Sequence, residues 1–284
     1  MIAAQPISRE RILTVARLLP AAPQAMAGLY ELLQELNADL GRIADQIRVD
    51  PALAARVVRM SNSVAWGGGG SVGSVEGAVS RLGFGELLRL VGAATVTTMV
   101  DRNLAGYGVQ AERLRESLLL HALASESLAR FSSLDPRTAY TAGLLRAIGM
   151  MVIARAGSTG RGFGCDFDPE RYDTYAQWEG EWFGVSSPEV AALVLREWRF
   201  PPDMVEAIRG HLQADGETVT DSFACLLNLA GSIVADAGLA LGGEVRHWKV
   251  TEARLAAAGI TAEQMEAARE QAMAEYSRTV DSLV

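Results

Sequence analysis

Apolar residues recur along most of this chain with the spacing of an α-helix rather than the alternation of a β-strand. Within 40–47, and again within 75–82, apolar side chains fall at i, i+3, i+4 and i+7, which places them on one helical face. Longer apolar stripes with the same period run through 114–129 and 223–237. No segment alternates convincingly between apolar and polar residues. The pattern therefore predicts an all-α protein with about a dozen helices.

Residues that favour helix starts and helix ends separate the predicted helices. Asp50-Pro51 and Asp135-Pro136 each combine a capping acid with a proline at the first helical position, where its missing N–H costs nothing. Ser187-Pro188 opens another helix in the same way. Ser74 is predicted to cap the helix over 75–82, and Gly83 is predicted to end it.

Composition and charge narrow the classes of function. The chain has 284 residues, of which 49% are apolar and 21% charged, so it is long and apolar enough to bury a substantial core. Its 26 basic and 34 acidic residues leave a formal net charge of −8, and we find no basic cluster. Because non-specific nucleic-acid binding depends on Lys and Arg neutralising phosphates, we expect no nucleic-acid partner.

Three features lead us to expect a cytoplasmic protein without membrane insertion. No uninterrupted apolar run reaches the roughly eighteen residues of a membrane helix. Near the N-terminus, Arg17 interrupts the apolar segment after five residues, which is too short for a signal peptide. The two cysteines, Cys165 and Cys225, form no CxxC metal knuckle and are expected to be reduced thiols. Cys165 lies in a glycine-rich stretch, 156–167, that is typical of a loop.

The three histidines are the first candidates for chemistry, because a helical chain with inward histidines can hold a metal ion. His121 lies on the apolar stripe of its helix, and His211 lies beside the stripe of a later helix. They are metal ligands or, more simply, hydrogen-bonded core residues, since a stable site needs three or more ligands. His247 stands among charged residues and is expected at the surface. We find no nucleophile elbow and no phosphate-binding loop motif.

An aromatic stripe is the second candidate. Tyr175, Trp178 and Trp182 fall at i, i+3 and i+7 and so share one helical face. Such a stripe is either part of the core or an exposed interaction surface with aromatic anchors for a partner protein. The spacing alone is compatible with both.

Several segments of the first half together resemble the HDOD (HD-related output domain) family, a bacterial signalling module related to HD-type phosphohydrolases. Leu19-Pro20 with Pro23 is similar to the family's opening motif. The segment 50–56, DPALAAR, followed by Ser61-Asn62-Ser63, resembles its DPxLxxR…NS signature. The apolar pattern through 72–83 matches the helix that follows. Each piece is weak by itself, but their order and spacing are specific.

The second half resembles the HD-derived lobe of the same family. His121 matches the first histidine of that lobe, and 142–149, AGLLRAIG, resembles its AGLLHDIG segment. Further matches follow at 181–184, at Glu189-Val190 and at 197–201. The resemblance covers roughly residues 10–245.

This chain departs from the family pattern at the positions that would bind metal. Arg146 and Ala147 stand where the HD dyad would be, and Ser187 occupies the next histidine position. His211 is kept, but Leu212 replaces the second member of a tandem histidine pair, and Gly231 stands where a final aspartate is expected. The resemblance thus implies a degenerate pocket formed by the residues His121, Arg146, Ala147, Ser187, His211 and Gly231. A buried guanidinium needs a partner, so Arg146 is expected to pair with an acid or to hold an anionic ligand.

These observations predict a standalone, degenerate HDOD protein with two helical lobes packed on each other. Residues 8–110 would form an N-terminal helical bundle, 111–250 a degenerate HD-like lobe and 251–284 a C-terminal helical extension. The resemblance implies a regulatory protein without enzymatic activity or cofactor, which binds other signalling proteins such as members of cyclic-dinucleotide or two-component pathways.

Two other functions remain open from the sequence. One is a residual metal-dependent phosphohydrolase that uses His121, His211 and further acids such as Asp236. The other is an RNA- or nucleotide-binding module; the absence of a basic stripe argues against binding of a polyanion but not against a small nucleotide in the pocket.

Overall fold

The computed structural model describes residues 6–19, 40–48, 51–62, 71–100, 102–158, 166–213 and 215–283, together with 28 and 32. We number the α-helices of these residues in chain order. They are α1 (Arg9–Arg17), α2 (Leu40–Arg48), α3 (Pro51–Ser61), α4 (Val75–Met99), α5 (Ala111–Ala129), α6 (Pro136–Leu145), α7 (Ile148–Ser158), α8 (Tyr175–Phe183), α9 (Ser187–Glu197), α10 (Pro202–Gly210), α11 (Ser222–Asp236), α12 (Glu252–Ala258) and α13 (Ala262–Leu283).

Two short 3-10 helices and one isolated bridge complete the secondary structure. The 3-10 helices are Ala105–Tyr107 and Gly242–His247, and the bridge joins Leu104 to Val109. The described segments contain no β-strand. The predicted all-α fold is confirmed.

The helix starts follow from local capping chemistry. Asp135 caps α6: its carboxylate accepts a hydrogen bond from the Thr138 N–H at 2.9 Å, and Pro136 follows at the first helical position. The α9 helix begins at Ser187, as predicted, and is capped by the reciprocal pair of Ser186 and Glu189.

Gly83 breaks the long helix α4 where the sequence predicts an end. Its φ of +70° lies in the left-handed region, which glycine adopts without a Cβ clash. Ser74 accepts a hydrogen bond from the Gly77 N–H at 3.1 Å at the start of the same helix. Beyond Gly83, the chain resumes a helical conformation to Met99, so α4 is two helices joined at a kink.

The chain forms two compact units whose bounds differ from the predicted 8–110, 111–250 and 251–284. The larger unit consists of Met1–Leu19 and Val100–Met273, and the smaller unit consists of Pro20–Met99 and Ala274–Val284. The α1 helix belongs to the larger unit because it packs on α7 and α9. Much of the predicted C-terminal extension belongs there too, since α12 packs on α11.

In the larger unit, α5 is the central element and packs most extensively against α6 and α11. Its contact with α6 depends on Gly143, where a Cβ would lie 2.8 Å from the Ala122 Cα. The α7 and α9 helices approach each other still more closely at Gly149, where a Cβ would overlap the Ser187 carbonyl oxygen and lie 2.9 Å from the Ala191 nitrogen. The approach at Gly143 brings α5 and α6 together beside the candidate site, and the packing of α11 on α5 completes its surroundings.

The smaller unit buries the apolar faces of α2, α3 and α4. Asn62, from the NS motif, holds the backbone of Val72 through two hydrogen bonds of 2.8 Å, one donated by its amide and one accepted by its carbonyl. Arg89 on α4 is buried and pairs with Glu86 and with Glu275 of α13.

Some sequence predictions concern positions outside the described residues. They are Pro20, Pro23, Asp50, Ser63 and Cys165. The other cysteine, Cys225, is buried with a free thiol.

One stretch, Pro136–Gly157, is long and apolar enough by composition to cross a membrane. It spans α6 and α7, and 83% of its apolar window is buried within the protein. Among the described residues, no other helix meets that test.

Candidate functional site

The structure brings together the two histidines that the family resemblance singles out. His121 lies in the middle of α5, and His211 caps the C-terminal end of α10. Both side chains are buried, and their rings are perpendicular, with centroids 6.4 Å apart.

Burial holds both imidazoles in the neutral form. Desolvation, followed by the positive charge of Arg146, lowers the pKa of His121 well below its usual value and lowers the pKa of His211 to about 3. The His211 Nδ1–H donates to the Ile208 carbonyl at 2.7 Å, so its Nε2 carries a lone pair. The Nε2 atoms of both histidines are buried and have no hydrogen-bond partner among the described residues.

Arg146 lies at the C-terminal end of α6 with its guanidinium buried beside this pair. Its Nη1 donates to both carboxylate oxygens of Glu244 at 2.9 Å, and its Nη2 lies 3.4 Å from the Ser117 hydroxyl. The Cζ atom sits 5.3 Å from the centroid of the Trp248 ring, within cation–π range. Of the two partners expected for Arg146, the protein supplies the acid.

Trp248 occupies the space between the histidines and α11. Its ring centroid lies 5.9 Å from the centroid of each of His121 and His211. The space exists because residue 231 is glycine: a Cβ there would lie 2.5 Å from two carbons of the indole ring. Gly231, at the position of an expected family aspartate, thus removes a ligand and makes room for a tryptophan.

Glu244 and Trp248 have no counterpart in the sequence prediction. Glu244 lies 98 residues from Arg146 along the chain, on a 3-10 helix that no apolar period marks. The only available signal is indirect, because a buried arginine must have an acid partner somewhere in the chain.

The other two pocket positions, Ala147 and Ser187, are also buried. Ser187 is tied to a different buried group: its backbone N–H donates to Glu179 at 2.6 Å. Glu179 also accepts from the Tyr107 hydroxyl at 2.6 Å. Desolvation raises the pKa of Glu179 to about 7, against the lowering effect of these two hydrogen bonds.

The Tyr175/Trp178/Trp182 face is largely core rather than an exposed interaction surface, which corrects that alternative. Tyr175 and Trp178 are buried, and their rings pack against the Tyr107 ring at 5.1 and 4.8 Å between centroids. Trp182 is half-buried, and its Nε1–H donates to the Tyr172 hydroxyl at 3.0 Å. Aromatic side chains bury large areas, which favours the inward orientation.

The expectation of a surface position for His247 is also wrong. Its side chain is half-buried, its ring lies 6.5 Å from the Trp248 ring, and desolvation lowers its pKa. The 3-10 helix turns this residue inward although its sequence neighbours are charged.

The residues of the pocket do not fit an HD-type metal centre. Where the protein is described, no group of three or more His, Cys, Asp or Glu side chains is arranged to hold a metal ion. Two imidazoles remain, and the guanidinium of Arg146 places a positive charge beside them. A dication would be repelled by that charge and would lack the ligand count that it requires.

The all-α fold and the buried histidine pair agree with the class of helical domain that the sequence resembles. A family model described as HDOD domain matches residues 19–214, well over half of the chain. The chain therefore belongs to the HDOD domain family. The predicted family is confirmed.

Three solved structures illustrate the similarity. The first is a protein from Marinobacter aquaeolei VT8, provisionally named for signal transduction, with 21% identity and a TM-score of 0.68; the match covers 96% of this chain and 64% of that one. The second is a provisionally named phosphohydrolase from Shewanella amazonensis SB2B, with 24% identity, a TM-score of 0.60 and coverage of 94% and 97%. The third is an HDOD domain protein of unknown function from Geobacter sulfurreducens, with 21% identity, a TM-score of 0.55 and coverage of 93% and 99%.

At these identities, the similarity shows a shared fold. This chain spans less than two thirds of the Marinobacter protein's length. A comparison with curated proteins found no match.

Proposed function

We propose that this protein is a non-catalytic regulatory HDOD protein of bacterial signal transduction. It acts in the cytoplasm by binding other signalling proteins, such as members of cyclic-dinucleotide or two-component pathways, and not by binding nucleic acid or inserting into a membrane. The observation that carries the proposal is the Arg146–Glu244 ion pair with Trp248 beside it, at the place where the family resemblance puts the HD dyad.

The chemistry of that arrangement supports the absence of hydrolysis. Metal-assisted hydrolysis needs a well-ligated dication with an open coordination position that activates water. Here an arginine stands at the dyad position, and an indole ring lies against both histidines. The lowered pKa values make both imidazoles weak bases, and the Glu244 carboxylate is engaged by Arg146, so none of these three groups is well suited to act as a general base.

The regulatory part of the proposal is supported by membership of the HDOD family. The Marinobacter protein is provisionally named for signal transduction, which agrees with a regulatory role, although the name describes that protein and not this one.

A residual phosphohydrolase is the alternative, and one observation favours it. The Nε2 atoms of His121 and His211 are both buried without a hydrogen-bond partner among the described residues, and a lone pair on such an atom is what a metal ion would use. The two proposals differ in whether metal binds in stoichiometric amounts and whether His121 matters for any hydrolysis.

The metal content of protein purified without chelator or metal-affinity resin is the first test. We expect well under one transition-metal ion per chain. We also expect hydrolysis of bis-p-nitrophenyl phosphate with added manganese to be the same for the wild type and His121→Gln. Stoichiometric metal that is lost in His121→Gln, together with activity lost in the same variant, would establish the phosphohydrolase instead.

The regulatory role is tested in the cell. We expect deletion of the gene to change transcript levels, and expression of either the wild type or His121→Gln to restore them equally. Failure of a stably folded His121→Gln protein to restore them would count against a non-catalytic role. No transcript change on deletion would count against a regulatory one.

A further inference from the structure

The carboxylate that pairs with Arg146 is carried on a short segment at the edge of the larger unit. We call residues 241–249 the plug. Its inner side chains, Glu244 and Trp248, are buried, whereas Val245 on its outer side is 50% exposed. Its regular part is a six-residue 3-10 helix, a conformation with poorer hydrogen-bond geometry than an α-helix. The plug therefore combines specific inner contacts with little intrinsic stability.

Several polar contacts besides the Glu244 ion pair hold the plug in place, among them hydrogen bonds of Tyr175 with the Gly243 backbone and of His247 with the Leu212 backbone. The Asn228 amide donates to the His247 carbonyl at 3.2 Å, and the Arg254 guanidinium donates to the Lys249 carbonyl at 2.6 Å. An exposed pair joins Arg246 to Asp173. Exposed ion pairs contribute little. The buried side chain of Leu241 and the packing of the Tyr175 ring on Gly243 anchor the start of the plug, and Glu244 and Trp248 are its contacts with Arg146 and the histidines.

The closed pocket leaves several buried polar atoms without a partner among the described residues. They are His121 Nε2, His211 Nε2, Arg146 Nε, Asn228 Oδ1 and Trp248 Nε1. Buried polar groups are normally hydrogen-bonded, and a cluster of exceptions calls for an explanation. An unpaired guanidinium N–H beside two imidazoles is the kind of surface that a polar ligand would satisfy.

The charges define which ligand the pocket would accept. Both histidines are neutral, so the charges described in the pocket are the Arg146 guanidinium and its counter-ion Glu244. Without Glu244 the pocket would carry a net positive charge, which repels metal ions and attracts anions. A guanidinium suits the oxygens of a carboxylate or a phosphate in particular.

We propose that Arg146 is the centre of a buried oxyanion site that the chain fills with its own Glu244 carboxylate. In this proposal the plug leaves when a small molecule bearing a carboxylate or a phosphate takes the place of Glu244. The pocket is then a self-occupied ligand site whose opening moves a surface segment and so changes the surface presented to a partner. The inference rests on the proposed function only in that no metal ion holds the histidines.

Removal of the internal carboxylate tests the oxyanion site directly. In Glu244→Ala we expect a saturable rise in the thermal midpoint with sodium acetate or sodium phosphate, compared with sodium chloride at the same ionic strength. Arg146→Ala/Glu244→Ala is the control that removes the binding group, and Glu252→Ala is an exposed control on the neighbouring helix α12. Both should show no anion-specific rise.

The two anions separate the two ligand classes. A rise with acetate alone assigns a carboxylate ligand, and a rise with phosphate assigns a phosphate-bearing one. Equal responses of Glu244→Ala and the double variant to both anions would overturn the proposal.

A second measurement uses the wild type and does not depend on the stability of a variant. Native-state hydrogen exchange, followed by mass spectrometry in low guanidinium chloride, reports local opening. We expect peptides covering 241–249 to exchange through an opening at least tenfold more frequent than that of α11. Millimolar adenosine 5′-monophosphate or acetate should raise that frequency further if it displaces Glu244.

Exchange of the plug only together with α11, unaffected by either probe, would show that the plug is an inseparable part of the core. Metal content tests the proposed function separately: stoichiometric metal at the histidines would refute both proposals, whereas failure of the oxyanion site alone would leave the proposed function standing.

Discussion

The buried carboxyl of Glu179 should make the stability of this protein depend on pH in an unusual direction. Its side chain is fully buried, and its two hydrogen-bond donors are the Tyr107 hydroxyl and the Ser187 N–H, both at 2.6 Å. Neither donor is a cation, and beyond desolvation the negative charge of Glu244 raises the pKa of Glu179 further. Desolvation therefore dominates and raises its pKa to about 7.

A raised carboxyl pKa stabilises the folded protein at low pH and not at high pH. The contribution is fully present below the pKa of the unfolded chain, near 4.5, and is lost as the pH rises through about 7. The difference between these two values corresponds to about 3 kcal/mol, at about 1.4 kcal/mol per pKa unit. Most of that loss should fall between about pH 5 and pH 8.

The variant Glu179→Gln isolates this effect. The buried histidines act in the opposite sense, because their lowered pKa values cost stability as the pH falls. Comparison of the variant with the wild type cancels the histidine contribution. Glutamine is uncharged at every pH, so we expect the stability of Glu179→Gln relative to wild type to increase by about 2–3 kcal/mol from about pH 5 to pH 8.

Guanidinium unfolding followed by far-UV circular dichroism measures this difference at each pH. Glu181→Gln is the matched control, since Glu181 lies on the same helix but is exposed and paired with Arg171. It should track the wild type within about 1 kcal/mol. A difference between Glu179→Gln and wild type that does not change with pH, or that changes in the opposite direction, would refute the reasoning.

Three further predictions concern two pocket contacts and the N-terminal cap of helix α6. Gly231→Ala should destabilise the protein by about 1–3 kcal/mol in denaturant unfolding, because the new Cβ would collide with the Trp248 ring. Glu244→Gln should cost about 3–5 kcal/mol in the same assay, because it leaves the buried Arg146 charge without its counter-ion. Asp135→Ala should cost about 1 kcal/mol through loss of the α6 cap and should be visible as a lower thermal midpoint.

Matched substitutions show whether these costs are specific to the sites. Gly210→Ala also adds a methyl to a helical glycine, but its nearest side-chain contact is 3.8 Å away, so it should be close to neutral. Glu197→Gln breaks an exposed pair with Arg17 and should cost less than about 1 kcal/mol. Equal losses in the site variants and these controls would contradict the packing and charge arguments.

The all-α class, several helix ends and the family could be predicted from local sequence signals. Its signals act between near neighbours: Asp135 caps a helix that starts at the next residue, and Gly83 alone permits the left-handed backbone that breaks α4. The apolar period of α5 likewise placed His121 on a buried face. Such features depend on a few consecutive residues, so they can be predicted without knowledge of the fold.

The surroundings of the histidines could not be predicted, because they are formed by segments far apart in the sequence. A buried arginine is expected to have an acidic partner. Only the packing of a segment 98 residues away identifies Glu244 as the partner of Arg146. The Trp248 ring fits against α11 because Gly231 lacks a side chain. This fit involves two separate elements, so neither element alone predicts it. The burial of Trp178 and the half-burial of His247 also depend on packing between elements. For Trp178, the periodic stripe predicts which helical face it shares but not whether other elements pack against that face.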